Sequence, residues 1–144
     1  MAERKWLGLI ALMALVLVLS QCSGNAEYRD VSNDPRYIAS VEQRCTVLRG
    51  LRAHAYTLNL DQKDVIEAVD VTTLPGIGGS EIIFTVAIPK GTQILVTGAQ
   101  ECTNCPFGRV RYAVQIPDLP RLAPYKVFVR PEVLAPDETD CIKS

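Results

Sequence analysis

Cysteines are the residues of this chain whose type and spacing are best suited to chemistry. Cys102 and Cys105 lie in "ECTNCPFG", at the C-x-x-C spacing that redox sites and zinc sites share. A redox motif normally opens a helix in an alternating α/β chain, but a proline and a β-like segment follow here. A zinc site needs a second close pair, but Cys45 and Cys141 lie far apart. Four cysteines allow three pairings, of which we favour the structural disulfides Cys102–Cys105 and Cys45–Cys141, with no metal.

Acid, base and nucleophile candidates form no recognisable constellation. The single histidine is His54, in "RAHAY", and a lone histidine in a strand is usually structural. Asp61, Asp64, Glu67 and Asp70 recur every three residues, which on a helix would gather them towards one face. Their segment alternates as a strand, however, so a solvated acidic face is the favoured interpretation. No nucleophile elbow or phosphate loop is present. We therefore predict a protein that is not an enzyme and needs no cofactor.

Two arginines on one strand are the first candidate for partner binding. In "RVRYAVQI", Arg109 and Arg111 alternate with apolar residues, so both guanidinium groups should leave the same outer face. Such a pair is suited to gripping a carboxylate surface of a partner. We expect four further arginines to lie near this pair: Arg44, Arg49, Arg52 and Arg130. The alternative is an ordinary charged face in contact with solvent.

A glycine-rich loop is the second candidate. The stretch "TLPGIGGSE" contains Gly76, Ile77 and Gly78 and breaks regular structure. We predict that this loop protrudes and inserts into a partner cleft. The alternative is a flexible connection between two strands.

The elements that must position these residues are short strands. Alternation, β-branched residues and Gly/Pro turns predict five to seven of them with little helix, and the clearest cover residues 64–72, 82–88, 92–101, 109–116 and 125–130. We predict a mainly β fold, a small antiparallel β-barrel. The segments "AIPKGTQILVTGA" and "CTVLRGLRAHAYTL" resemble strands and a diverging turn of bacterial Src-homology-3-like domains. That resemblance implies binding of peptides or peptidoglycan beside an enlarged first loop.

The N-terminus has the features of an export signal. "MAERK" precedes the apolar run Trp6–Leu19, which is shorter than the roughly 20 residues of a membrane-spanning helix. "LSQC", ending at Cys22, resembles a bacterial lipoprotein signal and implies that this cysteine receives lipid, although Gln21 departs from the small residue usual there. Ser23 implies transfer to the outer membrane. Simple secretion after cleavage near Ala26 is the alternative, and either route leaves four cysteines to pair.

Together these observations predict a signal peptide (residues 1–21), a tether (22–35) and one β-barrel domain (36–144). The chain contains 15 Lys and Arg and 16 Asp and Glu, a balance that argues against nucleic acid as the main partner. We expect a non-catalytic envelope lipoprotein, lipid-anchored in the outer membrane and facing the periplasm, or else a soluble periplasmic or secreted protein. The expected partner is a protein, as for an inhibitor or immunity-type protein, with peptidoglycan as the alternative.

Overall fold

The fold is built almost entirely from strands, in agreement with the predicted mainly β class. The computed structural model describes residues 25–106 and 108–143, so the predicted signal peptide and the lipidation site Cys22 lie outside the described residues. Nine strands are present in this part of the chain: β1 Tyr28–Asp30, β2 Gln43–Val47, β3 Leu51–Tyr56, β4 Ala68–Thr73, β5 Ile82–Ile88, β6 Gln93–Cys102, β7 Val110–Gln115, β8 Val127–Val129 and β9 Thr139–Lys143. Two 3₁₀ helices, Pro120–Leu122 and Pro131–Leu134, lie in the later connections.

The fold is organised around a bent two-stranded ribbon, in which β2 and β3 form one strand and β5 and β6 form the other. Cys45 on β2 opposes Ile94 on β6, and Ala53 on β3 opposes Val86 on β5, so one antiparallel register continues across both strand pairs. Only residues 48–50 separate β2 from β3. The two pairs therefore act as a single ribbon that bends sharply at its middle.

The bend of the ribbon depends on the turn between β5 and β6, which requires a residue with positive φ. Gly91 adopts φ +89°, and its N–H donates to the carbonyl of Val47 at 2.8 Å. A side chain is strongly disfavoured at this φ, which explains the glycine in "PKGT". Leu51 and Ile88, which flank the bend, are each 1% exposed. The bend thus lets both arms of the ribbon cover the same apolar core.

The strands form one mixed, open sheet, which differs from the predicted antiparallel barrel. Their order is β5-β3-β4-β8-β7-β6-β2-β9, with β1 added beside β6. β4 and β8 run parallel, with Val69 opposite Val127, because the long connections before β8 return the chain in the same direction. The end strands β5 and β9 do not pair, so the sheet is not closed. Alternation reports which residues of a strand are buried but not which strands are neighbours, and neighbours decide closure.

One face of the sheet is buried against itself as the sheet curls. On β7, Tyr112 and Val114 point into this core, as the alternation of "RVRYAVQI" predicts. The core draws on every strand from β2 to β8 and on both 3₁₀ helices, through small and β-branched side chains. Its largest fully buried apolar members are Leu51, Ile88, Ile94, Leu122, Val47, Val69, Val71, Val96, Val129 and Val133.

Two boundaries differ from the prediction. Residues 22–35 were expected to form a tether, but Tyr28–Asp30 pairs with β6 and Val31 is 8% exposed in the core. The folded domain therefore begins before residue 36. The strand predicted at 64–72 begins only at Ala68, and Val65 is 51% exposed. Alternation in a short polar stretch does not by itself recruit a partner strand.

Both predicted disulfides are present. Cys45 and Cys141 lie directly opposite each other on β2 and β9, which fastens the C-terminal segment to the sheet. Cys102 and Cys105 close a short loop after β6. Disulfides persist in oxidising compartments, so the two bonds indicate a location outside the cytoplasm. Within the part of the chain that the structure describes, no helix is long and apolar enough to cross a bilayer.

Candidate binding groove

The outer face of the sheet carries a row of polar and aromatic side chains across four strands. Asp70 on β4 lies opposite His54 on β3 and Phe128 on β8. Phe128 in turn lies opposite Ala113 on β7, and Arg111, two residues earlier on β7, shares that face. Alternation along each strand therefore brings residues that are distant in sequence onto one surface.

Arg111 is the centre of this surface. Its guanidinium carbon lies 3.6 Å from the ring centroid of Tyr28 and 3.6 Å from that of Phe128, so the planar group is held between two rings. Its Nε donates to Oε1 of Gln100 at 3.0 Å. A guanidinium is attracted to the negative face of each ring, and the effect grows as water is excluded. Arg111 is thus fixed in orientation before any ligand arrives.

Tyr28 reaches this position because the N-terminal segment is clamped by the disulfide loop. Asn104 lies between Cys102 and Cys105, and its side chain accepts from the N–H of Glu27 at 2.8 Å. The same side chain donates to the carbonyl of Asn25 at 2.9 Å. The N–H of Thr103 donates to the carbonyl of Glu27 at 2.8 Å. The C-x-x-C loop therefore has a structural role, because it places one wall of the Arg111 stack.

Arg111 lines a groove of about 690 Å³. Three aromatic side chains line it as well: Tyr28, Tyr56 and Phe128. Its charged side chains are four cations and three carboxylates: Arg109, Arg111, Lys126, Arg130, Glu67, Asp70 and Glu132. The ion pairs among the described residues are made by other side chains. The groove thus combines aromatic surface with charges that are not neutralised by close partners.

Burial perturbs two ionisable groups in the groove. Desolvation raises the pKa of Asp70, and the positive charges of Arg130 and Arg111 lower it in part. Desolvation also raises the pKa of Tyr56, with the nearby Asp70 charge adding to the effect. Both shifts come from partial removal of water. Water is therefore partly excluded from the groove at Asp70 and Tyr56.

The arginines predicted to cluster are divided by the fold. Arg109, Arg111 and Arg130 line the groove together, as expected. Arg44 and Arg52 are not among its lining residues, and Arg49 lies 3.9 Å from Glu138 instead. Arg52 lies near the start of β3, at the opposite end of that strand from Tyr56, which does line the groove, and Arg49 lies in the turn between β2 and β3.

The glycine-rich loop, predicted to protrude and insert into a partner cleft, contributes no residue to the groove. Gly76 adopts φ +96°, and Ile77 donates its N–H to Nε2 of His54 at 3.3 Å. Ile77 nevertheless keeps 44% of its surface exposed, and a side chain at Gly78 would meet nothing within 4 Å. One end of the loop is thus fastened to the sheet while its tip faces solvent.

Sequence reasoning missed the rings that hold Arg111. Tyr28 lies in the segment predicted to be a tether, and Phe128 was not among the predicted site residues. The available signal was the alternation in "YKVFVR", which puts Phe128 on the face opposite Val127 and Val129. An apolar ring on an outer face needs a cover, and Arg111 provides it.

No group of three or more His, Cys, Asp or Glu side chains that could hold a metal occurs within residues 25–106 and 108–143. Comparisons with protein-family models, curated proteins and solved structures find no match for this chain.

Proposed function

We propose that this protein is a non-catalytic binding protein that holds an extended segment of a partner protein in the groove around Arg111. The observation that carries this proposal is the guanidinium held between Tyr28 and Phe128. A planar guanidinium binds a carboxylate with two parallel hydrogen bonds. A side chain whose orientation is already fixed loses less entropy on binding.

The composition of the groove supports a protein segment rather than a nucleic acid or a lone anion. Aromatic residues and arginine are enriched at the centres of protein interfaces, and they carry most of the binding energy there. Glu67, Asp70 and Glu132 would repel a polyanion, but they suit a chain that carries both signs of charge. We propose a partner segment with a carboxylate placed over Arg111.

The test is capture of envelope proteins by the full processed chain and by two matched variants. Arg111→Gln removes the charge and the fork, whereas Arg44→Gln removes an exposed arginine outside the groove. We expect a captured protein to be lost with Arg111→Gln and retained with Arg44→Gln. Losing a buried charge-assisted contact should weaken binding by roughly 2–5 kcal/mol, which is at least about 30-fold. Equal capture by both variants would remove the groove from the proposal.

We propose a protein partner, as for an inhibitor or immunity-type protein, and peptidoglycan as the alternative ligand. A role as an inhibitor or immunity-type protein requires that the captured protein be an effector or wall-degrading enzyme whose activity falls on binding. The Src-homology-3-like resemblance supports peptidoglycan as the alternative ligand. Co-sedimentation with purified sacculi separates the two, because a peptidoglycan binder pellets with sacculi in the absence of any protein partner.

We also propose that the chain is anchored by lipid at Cys22 and faces the periplasm. The lipoprotein-like signal supports this proposal, and the structure adds a constraint on it. Because Tyr28 is fixed in the sheet and only five residues lie between it and Cys22, the distance between these two residues is at most about 22 Å. The groove would then lie close to the membrane. The intact mass of the native protein, with and without reduction, reports the lipid, the cleavage site and the number of disulfides.

A further inference from the structure

An end strand of the sheet lacks the charges and prolines that normally protect a sheet edge, although its pairing with β3 is irregular at Ile83. β5 is "IIFTVAI" and contains no charged residue and no proline. Its only strand neighbour among the described residues is β3. The opposite end strand, β9, carries Asp140 and Lys143. Unpaired edges attract further strands, and proteins usually prevent this with charges, prolines or bulges. The two ends of this sheet are therefore unlike, and only β5 is suited to pairing.

Neighbouring segments leave the backbone edge of β5 without a partner. Phe84 packs against Tyr125, with ring centroids 5.9 Å apart, and Arg121 lies 4.5 Å over the Phe84 ring. These contacts involve the ring of Phe84 on the core side. Thr85 and Ala87 on the other side of the strand are exposed. No backbone hydrogen bond joins residues 83–88 to a described segment other than β3.

The side chains of β5 are arranged so that the strand complements itself. The part of β5 that pairs regularly with β3 is Phe84–Ile88. In an antiparallel pair of identical strands centred on Thr85, Phe84 lies opposite Val86 on the core side. Threonine meets threonine at the centre. Pairs of this kind, aromatic with β-branched and threonine with threonine, stabilise antiparallel sheets.

The charges at the two ends of the strand agree with this register. Glu81 precedes β5 and Lys90 follows it. In the pair centred on Thr85, the end of β5 that carries Glu81 meets the end of the second copy that carries Lys90. Opposite charges therefore meet at both ends of the paired strands, whereas a parallel pair would bring like charges together.

We propose that the protein forms a two-fold dimer in which β5 of one copy pairs antiparallel with β5 of a second copy, centred on Thr85. The interface is isologous, as closed dimers require, and it removes the unprotected edge. It is independent of the groove at Arg111, so its failure would leave the proposed binding function untouched.

The test is the sedimentation mass of the processed full chain, purified with its disulfides intact in a mild detergent, over a range of concentrations. Ala87→Lys places a charge on the exposed side of β5, and Ala39→Lys makes the same change at an exposed turn position. We expect a dimer whose Kd rises at least about tenfold with Ala87→Lys, since an edge lysine opposes strand addition. Ala39→Lys should leave the Kd unchanged.

A second measurement tests the register. Thr85→Cys brings two thiols face to face across the two-fold axis, within the Cα separation that a disulfide spans. Under mild oxidation we expect an intermolecular disulfide with Thr85→Cys and none with Ala39→Cys. A chain that stays monomeric throughout the range, or a dimer that ignores Ala87→Lys and does not cross-link at position 85, would overturn the proposal.

Discussion

The N–H of Ile77 donates a hydrogen bond to Nε2 of His54, with 3.3 Å between the two nitrogens. The Thr72 hydroxyl lies 3.2 Å from the same nitrogen, and Thr85 Oγ1 lies 3.2 Å from Nδ1. An atom that accepts a backbone N–H carries no proton of its own, so His54 is neutral with its hydrogen on Nδ1. His54 is 1% exposed. The lone histidine thus holds the glycine-rich loop to the sheet.

Acid should release this loop. Burial lowers the pKa of His54, the positive charge of Arg52 lowers it further, and Asp70 opposes both effects. At a pH between the two pKa values, His54 is therefore protonated in the unfolded chain and neutral in the folded chain. Stability contributed by neutral His54 is fully present above its ordinary pKa of about 6.5 and is lost as pH falls below that value. We expect the free energy of unfolding to fall across this range, and exchange of the Ile77 amide to accelerate before global unfolding.

His54→Gln provides the control for this acid response. Glutamine keeps a polar side chain at the position but does not titrate, so the unfolding free energy should lose its slope in the same pH window. If the variant retains the slope of the parent protein, another group causes it and the role assigned to His54 is wrong.

Gly76 should be far less tolerant of substitution than Gly78. A Cβ at Gly76 would lie 2.8 Å from Nε2 of His54, and the residue adopts φ +96°. Gly76→Ala therefore adds both backbone strain and a clash, a cost of roughly 1–3 kcal/mol. A Cβ at Gly78 would meet nothing within 4 Å, so Gly78→Ala should change the unfolding free energy by less than about 0.5 kcal/mol. Urea denaturation of both variants measures the difference, and equal losses would contradict this account.

The two disulfides should contribute unequally to stability. Cys45 and Cys141 are separated by 96 residues, so breaking their bond frees a loop worth about 4–5 kcal/mol in the chain-entropy model. Cys102 and Cys105 are separated by 3 residues, for which the same model gives about 2 kcal/mol. We expect the double alanine variant at Cys45 and Cys141 to lose more unfolding free energy than the one at Cys102 and Cys105. A larger loss from the short loop would show that clamping of the N-terminal segment outweighs chain entropy.

Local patterns predict much of this fold because they report local burial. The runs "IIFTVAI" and "TQILVTGAQE" match β5 and β6 closely, since β-branched residues between Gly and Pro turns favour strands wherever they lie. The short spacing of Cys102 and Cys105 favours a local pair, which leaves Cys45 and Cys141 for each other although they lie 96 residues apart.

The sequence predicts the arginines of the groove but not its aromatic residues, because the latter reach the groove through contacts between distant parts of the chain. Arg109 and Arg111 share a strand, so alternation places them together. Tyr28 reaches Arg111 only because β1 pairs with β6, a contact between residues far apart in sequence. Whether "NAEYRDVS" is a tether or a strand depends on the free edge of β6 and on the disulfide loop that holds it. Neither can be inferred from that segment's own composition.

The Arg111 stack should stabilise the N-terminal strand as well as shape the groove. Arg111→Ala removes the group between the Tyr28 and Phe128 rings and exposes Phe128, which is now 5% exposed. Loss of two cation–π contacts, each roughly 0.5–2 kcal/mol, should lower the unfolding free energy and loosen the start of the domain.

The sensitive measurement is hydrogen exchange at the Val31 amide, which donates to the carbonyl of Ala99 at 2.9 Å. Arg109→Ala is the matched control, because it removes a neighbouring exposed charge from the same groove while leaving both rings covered. Exchange at Val31 should accelerate with Arg111→Ala and remain unchanged with Arg109→Ala. Identical exchange in the two variants would mean that strand pairing alone holds Tyr28 in place.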